Sequence, residues 1–387
     1  MAHDRAVEAI REVGRIHAFF PLLTRLGNLW AASRPWDGKR VALNLHLTTL
    51  TAALVRELTM GGGRWIVSAA NRNTTDPSAV ALLRQHGVEV FTGQDLRDRH
   101  DQVLACRPDL IVDVGFELID RAIQSNATHV QGAIEITRSG ISAMRSQSHI
   151  PFPVINLNDG KLKNAVENRH GVGEALWQAV CTTTGMHLSG RCAAVVGYGP
   201  VGVGLASYAR SAGMSVEVFD RDPIRRLFAH YDGYPTPSLA KALTRAQFVV
   251  TATGAPNAVT VDALAGARDG VILANAGHGG DEIDVKGIEE SATHKDNVSR
   301  QVATYRLTSG QAVTVLGGGQ PLNIVLNSGS PEPVLLHFGL LGLTLQWLVE
   351  HASDTEPGEH LVSEDLERQI AEIALESLGS AETSTDV

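Results

Sequence analysis

The segment Gly197-Tyr198-Gly199-Pro200-Val201-Gly202 constrains the fold of this chain more than any other stretch. It follows the apolar run Ala193-Ala194-Val195-Val196, and Asp220 stands 18 residues beyond Gly202, at the end of Ser215-Val216-Glu217-Val218-Phe219. A strand that must turn into a helix within a few residues, with its backbone close to a pyrophosphate, needs positions without a Cβ. The N–H groups freed at the start of the helix then face the phosphate charge, and an acid ending the next strand can accept from both ribose hydroxyls. The order strand, glycines, helix, strand, Asp predicts a dinucleotide site at Gly197, Gly199, Val201, Gly202 and Asp220. Asp220 disfavours a 2′-phosphate and so favours NAD, while Arg221, Arg225 and Arg226 close behind leave NADP open on the residues alone.

At 387 residues the chain is long enough for two domains, and its 43% hydrophobic content is ordinary for a globular protein. A formal net charge of −9 with dispersed acids and bases gives no basic footprint, so small-molecule chemistry is expected rather than a nucleic-acid or membrane partner. Cys106, Cys181 and Cys192 have no metal-type spacing and leave an odd thiol, which points to a reducing, cytoplasmic compartment. The 15 histidines form no metal-binding motif, so no metal is expected. The N-terminus has no signal-peptide core, and no apolar run reads as long enough to span a bilayer.

Residues 5 to 33 have helical periodicity, closed by Ser33-Arg34-Pro35. Strand patterns at 40–45, 64–69, 88–91, 110–114 and 154–157 alternate with helical ones, and this reads as a parallel sheet. A helix from about Glu167 to Thr184 leads into a second set of strands at 192–196, 215–219, 248–251, 271–274 and 312–315. The predicted fold is therefore α/β with two domains, a Rossmann-type NAD-binding domain over 173–330 and a discontinuous α/β substrate-binding domain over 1–172 and 331–352. Residues 353–387 read as a C-terminal helix and a frayed tail.

Lys163 and Glu167 are four apart, so a helix there sets ammonium and carboxylate on one face. Beside a nicotinamide, Lys163 can handle the proton of a hydroxyl being oxidised while Glu167 tunes it; a solvated ion pair is the alternative. His278, in Asn275-Ala276-Gly277-His278, and His46, in Leu45-His46-Leu47-Thr48, each follow a strand at the sheet edge where such folds bind ligands.

Together these segments closely resemble the S-adenosyl-L-homocysteine hydrolase family from about Val41 to Trp347. "INLNDGKLKNAVENRHGVGEAL" followed by "VVGYGPVGVG" is the most specific part, and "FVVTATG", "NAGH", "EID" and "TYRL" follow in the family's order. The resemblance implies a bound NAD, transient oxidation of a nucleoside 3′-hydroxyl, loss of the 5′ thioether group, hydration and return of hydride. It implies Lys163 and Glu167 at the 3′-hydroxyl, with Glu in place of the usual Asp, and Asn168 orienting them. His46 belongs near the leaving group and His278 near the sugar and nicotinamide. Cofactor contacts fall on Arg221, Thr251, Thr253, Gly254, Asn275, Gly277, Asn323 and Thr137. Substrate contacts fall on Thr48, Leu50, Asp113, Glu135 and Ser330, and the assembly is expected to be a homodimer or homotetramer.

Departures cluster on base recognition. Leu50 stands where the family has a glutamate for the adenine amino group, Ile136 where it has a sugar-binding acid, and Val114 where it has a carboxylate linked to proton transfer at C4′. The His-Pro-Ser-Phe segment aligns with Ser330-Pro331-Glu332-Pro333, and the final "SAETSTDV" lacks the Lys and Tyr that reach a partner's NAD. A related nucleoside or sugar thioether or ether is thus the expected substrate, with S-adenosylhomocysteine itself still open. A sugar-hydroxyl oxidoreductase or lyase that stops partway, and a non-catalytic NAD-binding homologue, stay open as alternatives.

Overall fold

The computed structural model describes residues 2–277 and 279–379. His278 and the hydroxyl-rich end, 380–387, lie outside the described residues. The chain divides into two compact units, Met1–Lys163 with Pro331–Val387, and Asn164–Ser330. Fourteen strands among the described residues build one seven-stranded sheet in each unit.

In chain order the first unit holds β1 (Arg40–Leu45), β2 (Arg64–Ala69), β3 (Glu89–Phe91), β4 (Leu110–Asp113), β5 (Gly132–Glu135) and β6 (Pro153–Asn156). The second holds β7 (Cys192–Val196), β8 (Ser215–Phe219), β9 (Phe248–Thr251), β10 (Val271–Asn275), β11 (Ala292–Ser299), β12 (Val302–Leu307) and β13 (Ala312–Leu316), and β14 (Gly358–Leu361) returns to the first.

The first sheet runs β14-β6-β5-β4-β1-β2-β3, with every pairing parallel. Both of its faces are covered, as parallel sheets require. Along β1, Val41, Leu43 and Leu45 join Leu54, Leu58, Leu341 and Leu345 on one face, while Ala42 packs with Ile111, Ile119 and Ile141 on the other. The chain steps from β1 outward through β2 to β3, then crosses to β4 on the opposite side of β1. The carboxyl ends of β1 and β4 therefore flank a topological switch point, where open α/β sheets bind ligands.

The second sheet runs β11-β12-β13-β10-β9-β7-β8 and is parallel from β13 to β8. Its switch point lies between β7 and β9. The antiparallel β11–β12 hairpin at its other edge was not anticipated from the sequence, since β11 is half-exposed or exposed throughout and carries no strong alternation.

Three expectations need correction. The region 5–33 is two helices, Ala2–Phe19 and Leu22–Ser33, separated at Pro21, whose missing N–H and fixed φ end a helix. The segment 353–377 does not stand apart: β14 pairs with β6 over Gly358–Leu361, and Ile370 of the helix Glu364–Ser377 is fully buried in the first core. Finally, one helix, Glu332–His351, is long and apolar enough to cross a membrane by length and composition. His337, Gly339 and Gly342 interrupt its apolar run, and Leu335, Leu340, Leu341, Leu345 and Leu348 are buried in the first core, which accounts for its composition.

Candidate active site

At the β7/β9 switch point the chain leaves β7 through Gly197, whose φ of +100° admits glycine readily and whose N–H donates to Phe219 O at 2.7 Å. The helix Pro200–Ser211 follows, with Gly199 at its N-cap and no side chain capping it. Its first amides are thus left for an outside acceptor. A Cβ on Gly202 would overlap Gly197 O, so that glycine lets the helix press onto the turn, whereas a Cβ on Gly199 would meet nothing closer than Arg225 Nη1 at 3.5 Å. Gly199 therefore keeps space open above the turn rather than relieving a clash within it.

Asp220 stands beside this turn, its Oδ2 accepting from Tyr198 N at 2.7 Å and its Oδ1 from Asp222 N at 2.8 Å. Arg225 Nη1 donates to Tyr198 O at 3.1 Å, and Arg221 is exposed. Asn323, in the short helix Leu322–Val325, has a buried Oδ1 with no hydrogen-bond partner. An open glycine turn, an uncapped helix start, an acid at the next strand's end and an orphaned amide oxygen all fit a bound dinucleotide.

The loops after β9 and β10 are tied by two buried side chains. Asn275 donates to Gly279 O at 2.5 Å and Gly319 O at 3.0 Å, and its Oδ1 accepts from Gly277 N at 2.7 Å and from Thr251 Oγ1 at 3.1 Å. Glu282, passed over as a site residue, takes Thr253 N and Thr253 Oγ1 on one oxygen and Gly254 N on the other, each at 2.8 Å. Burial pushes its carboxyl up, and those donors pull it back. A Cβ on Gly277 would overlap Glu282 Oε1. Thr251, Thr253, Gly254, Asn275 and Gly277 thus set the shape of the loops around the turn through bonds within the protein. The sequence signal for Glu282 was the "EID" segment itself.

In the first unit, His46 follows β1, and its Nδ1 lies 2.7 Å from Thr74 Oγ1. That hydroxyl donates to Asn71 O at 3.0 Å, so it accepts from the ring, and the proton sits on Nδ1. Thr48 caps the helix Thr49–Met60 with contacts of 3.4 Å to Thr51, and half-buried Leu50 lies in that helix's first turn.

Asp113 and Glu135, expected as substrate contacts, anchor loops in the structure. Asp113, at the end of β4, accepts from Asn44 Nδ2, Val114 N and Ile119 N at 2.8–2.9 Å. Glu135 accepts from Thr137 N and Oγ1 at 2.7 and 2.6 Å, from Phe116 N at 2.8 Å and from Gly115 N at 3.2 Å. Both are fully buried, and burial pushes both carboxyls up. Thr137 is likewise committed within this unit, its hydroxyl donating to Glu135 and accepting from Gly115 N and Gly140 N. Val114 is buried and Ile136 nearly so. Glu117, three residues past Val114, is a carboxyl the sequence reading missed: it opens the helix Glu117–Gln124, and burial pushes it up against the pull of Arg99 and Asn44. Its signal was an acid in the first turn of a helix that follows a strand.

Lys163, Glu167 and Asn168 share a π-helical segment, Lys163–Gly171, ahead of the α-helix Val172–Thr184. The expected α-helix is thus preceded by nine residues of wider winding, a geometry frequent at functional sites. Lys163 is only 9% exposed. Buried His337 lies near it; burial first, and then the Lys163 charge, hold that imidazole neutral, well below its ordinary range. Ser330 is half-buried where the chain passes from one unit to the other.

A parallel α/β unit with a dinucleotide-fitting switch point, joined to a second parallel α/β unit, defines an NAD-binding enzyme of the two-unit α/β class. Residues 168–329 match the model of the S-adenosyl-L-homocysteine hydrolase NAD-binding domain. The chain is 33% identical over 372 residues to the S-inosyl-L-homocysteine hydrolase of Methanopyrus kandleri, covering 93% of this chain and 88% of that one. It is 31% identical to the adenosylhomocysteinase of Sulfolobus acidocaldarius, covering 93% and 89%. A dipicolinate synthase chain from Bacillus halodurans shares the fold at a TM-score of 0.50 and 15% identity, over 81% of this chain and 99% of that one. The chain belongs to the S-adenosyl-L-homocysteine hydrolase family. It is an NAD-dependent hydrolase of the adenosylhomocysteinase type.

Proposed function

We propose that this enzyme hydrolyses an S-nucleosyl thioether whose purine carries no exocyclic amine, a substrate of the S-inosyl-L-homocysteine kind, in preference to S-adenosylhomocysteine. The observation that carries this reading is Leu50, an apolar side chain beside the capping hydroxyl of Thr48, where an amine-reading carboxylate is expected. An adenine amino group facing leucine loses its acceptor, at a cost of about 1–3 kcal/mol, or roughly ten- to a hundredfold in preference. A 6-oxo purine makes no such demand. The relative from Methanopyrus kandleri, named for an S-inosyl substrate, supports the same reading.

Bound NAD supplies reversible oxidation at the nucleoside 3′-carbon. Its hold falls to the amides at the start of the helix Pro200–Ser211, to Asp220 and to Asn323. Lys163, only 9% exposed, takes the 3′-hydroxyl proton. Glu167 and Asn168 orient it. His46 serves the departing sulfur through Nε2, since Thr74 holds the ring proton on Nδ1.

Thiol release measured across S-adenosyl-, S-inosyl- and base-modified thioethers tests the reading. A higher kcat/KM for the S-inosyl substrate is expected, and a clear preference for S-adenosylhomocysteine overturns it.

A further inference from the structure

We propose that Glu367, on the helix Glu364–Ser377, is a positioning residue for Lys163: it fixes the loop that delivers the lysine, and so sets the rate of nucleoside oxidation without touching the substrate. This role rests on the proposed assignment of Lys163 as base for the 3′-hydroxyl, and it brings the C-terminal segment into the chemistry.

The loop between β6 and Lys163 is Leu157-Asn158-Asp159-Gly160-Lys161-Leu162, and helical winding starts at Lys161. Amides in the first turn of a helix have no acceptor within it, and Gly160, just before the start, has no side chain to offer one. The acceptor comes from 205 residues away: Leu162 N donates to Glu367 Oε1 at 2.8 Å. Glu367 is only 7% exposed, and a carboxyl so buried must be met by donors. The bond fixes the residue that leads directly into Lys163.

The two segments are fitted to each other around this bond. β14 runs beside β6 with Leu361 opposite Asn156, and Val362 N donates to Asn156 O at 3.3 Å. A Cβ on Gly160 would stand 3.0 Å from Glu367 Oε1 and 2.9 Å from Val362 Cγ1, so glycine there lets the C-terminal segment come in close. Leu162, Val362, Leu366 and Ile370 all pack on the first core. At the loop's other end Glu359 Oε1 accepts from Asn156 Nδ2 at 2.7 Å, and Arg145 Nη2 spans Glu359 and Asp159. The pair Lys161–Glu364 crosses the same gap at 2.7 Å, but both side chains are exposed and such pairs contribute little. Of these carboxyls, the buried Glu367 holds the residue next to the lysine.

Single-turnover reduction of the bound cofactor in the full-length holoenzyme, with S-inosylhomocysteine as the probe, tests this role. Glu367→Leu should slow reduction by roughly 10- to 10²-fold, the cost of a misplaced group, with NAD and nucleoside affinity kept. Glu367→Gln retains an acceptor oxygen and should restore most of the rate. Gly160→Ala, which crowds the same bond, should also slow oxidation, and Glu364→Gln, in the exposed pair, should not. Because Glu367 acts through Lys163, Glu367→Leu should cost nothing further in a Lys163→Met background, whereas a general loosening of the fold would add to that defect. Far-ultraviolet circular dichroism and NAD titration establish that each variant is folded. Unmodified oxidation in folded Glu367→Leu or in Gly160→Ala, or full additivity with Lys163→Met, overturns the role of Glu367 and leaves Lys163 in place. Oxidation at the unmodified rate in Lys163→Met removes the lysine's own assignment, and the role of Glu367 with it.

Discussion

The backbone N–H of Tyr198 donates to Asp220 Oδ2 at 2.7 Å, joining the middle of the glycine turn to the acid that ends the next strand. The bond fixes Asp220 beside the glycine turn, and Asp222 N holds its other oxygen. The carboxylate is thereby oriented before any ligand arrives.

Asp220→Ala should weaken NAD by roughly ten- to a hundredfold, the worth of charged hydrogen bonds, and should weaken NADP much less. Calorimetric titration of both dinucleotides into cofactor-free protein measures the difference. Equal or tighter binding of NADP by the unmodified protein would show that Arg221, Arg225 and Arg226, rather than Asp220, set the preference.

Lys163→Met keeps the apolar stem at a nearly buried position, so fold and NAD binding should survive. Oxidation of the nucleoside should slow by roughly 10²–10⁴-fold, as for loss of a positioned base. His46→Ala should instead leave nucleoside oxidation largely intact and suppress thiol release. Single-turnover absorbance of the reduced cofactor, set beside thiol quantification, separates the two steps. Reduction at the unmodified rate in Lys163→Met would make Lys163 a structural residue.

His100, 3% exposed in the helix Leu96–Ala105, has a buried Nε2 without a hydrogen-bond partner. Burial pushes its imidazole down to about 4. An imidazole depressed on folding contributes stability that is fully present above its unfolded value of about 6.5 and is lost as pH falls through the folded value. Between those limits roughly 3 kcal/mol should disappear. Urea titrations at pH 7 and pH 4 measure this, and His100→Phe should reduce the pH dependence. An identical loss in that variant would assign it to other groups.

The periodic strands and the glycine turn were legible in the sequence because each depends on neighbours along the chain. The nearly continuous apolar run Val41-Ala42-Leu43 reports burial on both faces of β1, and Gly197 reports a positive φ that the local turn demands. Gly199, Asp220 and the buried Lys163 could be singled out for the same reason: each was read from its spacing along the chain. Tertiary structure alone decided which carboxylates face inward. Asp113 and Glu135 look like ligand-binding acids in sequence, yet β4 and β5 pair them with each other and the loop 114–119 wraps its amides around both. Glu282 was hidden likewise, because its partners Thr253 and Gly254 lie 29 and 28 residues earlier in the chain. A buried carboxylate must find donors, and those donors come from whichever backbone the fold brings near it, which no local pattern of residues encodes.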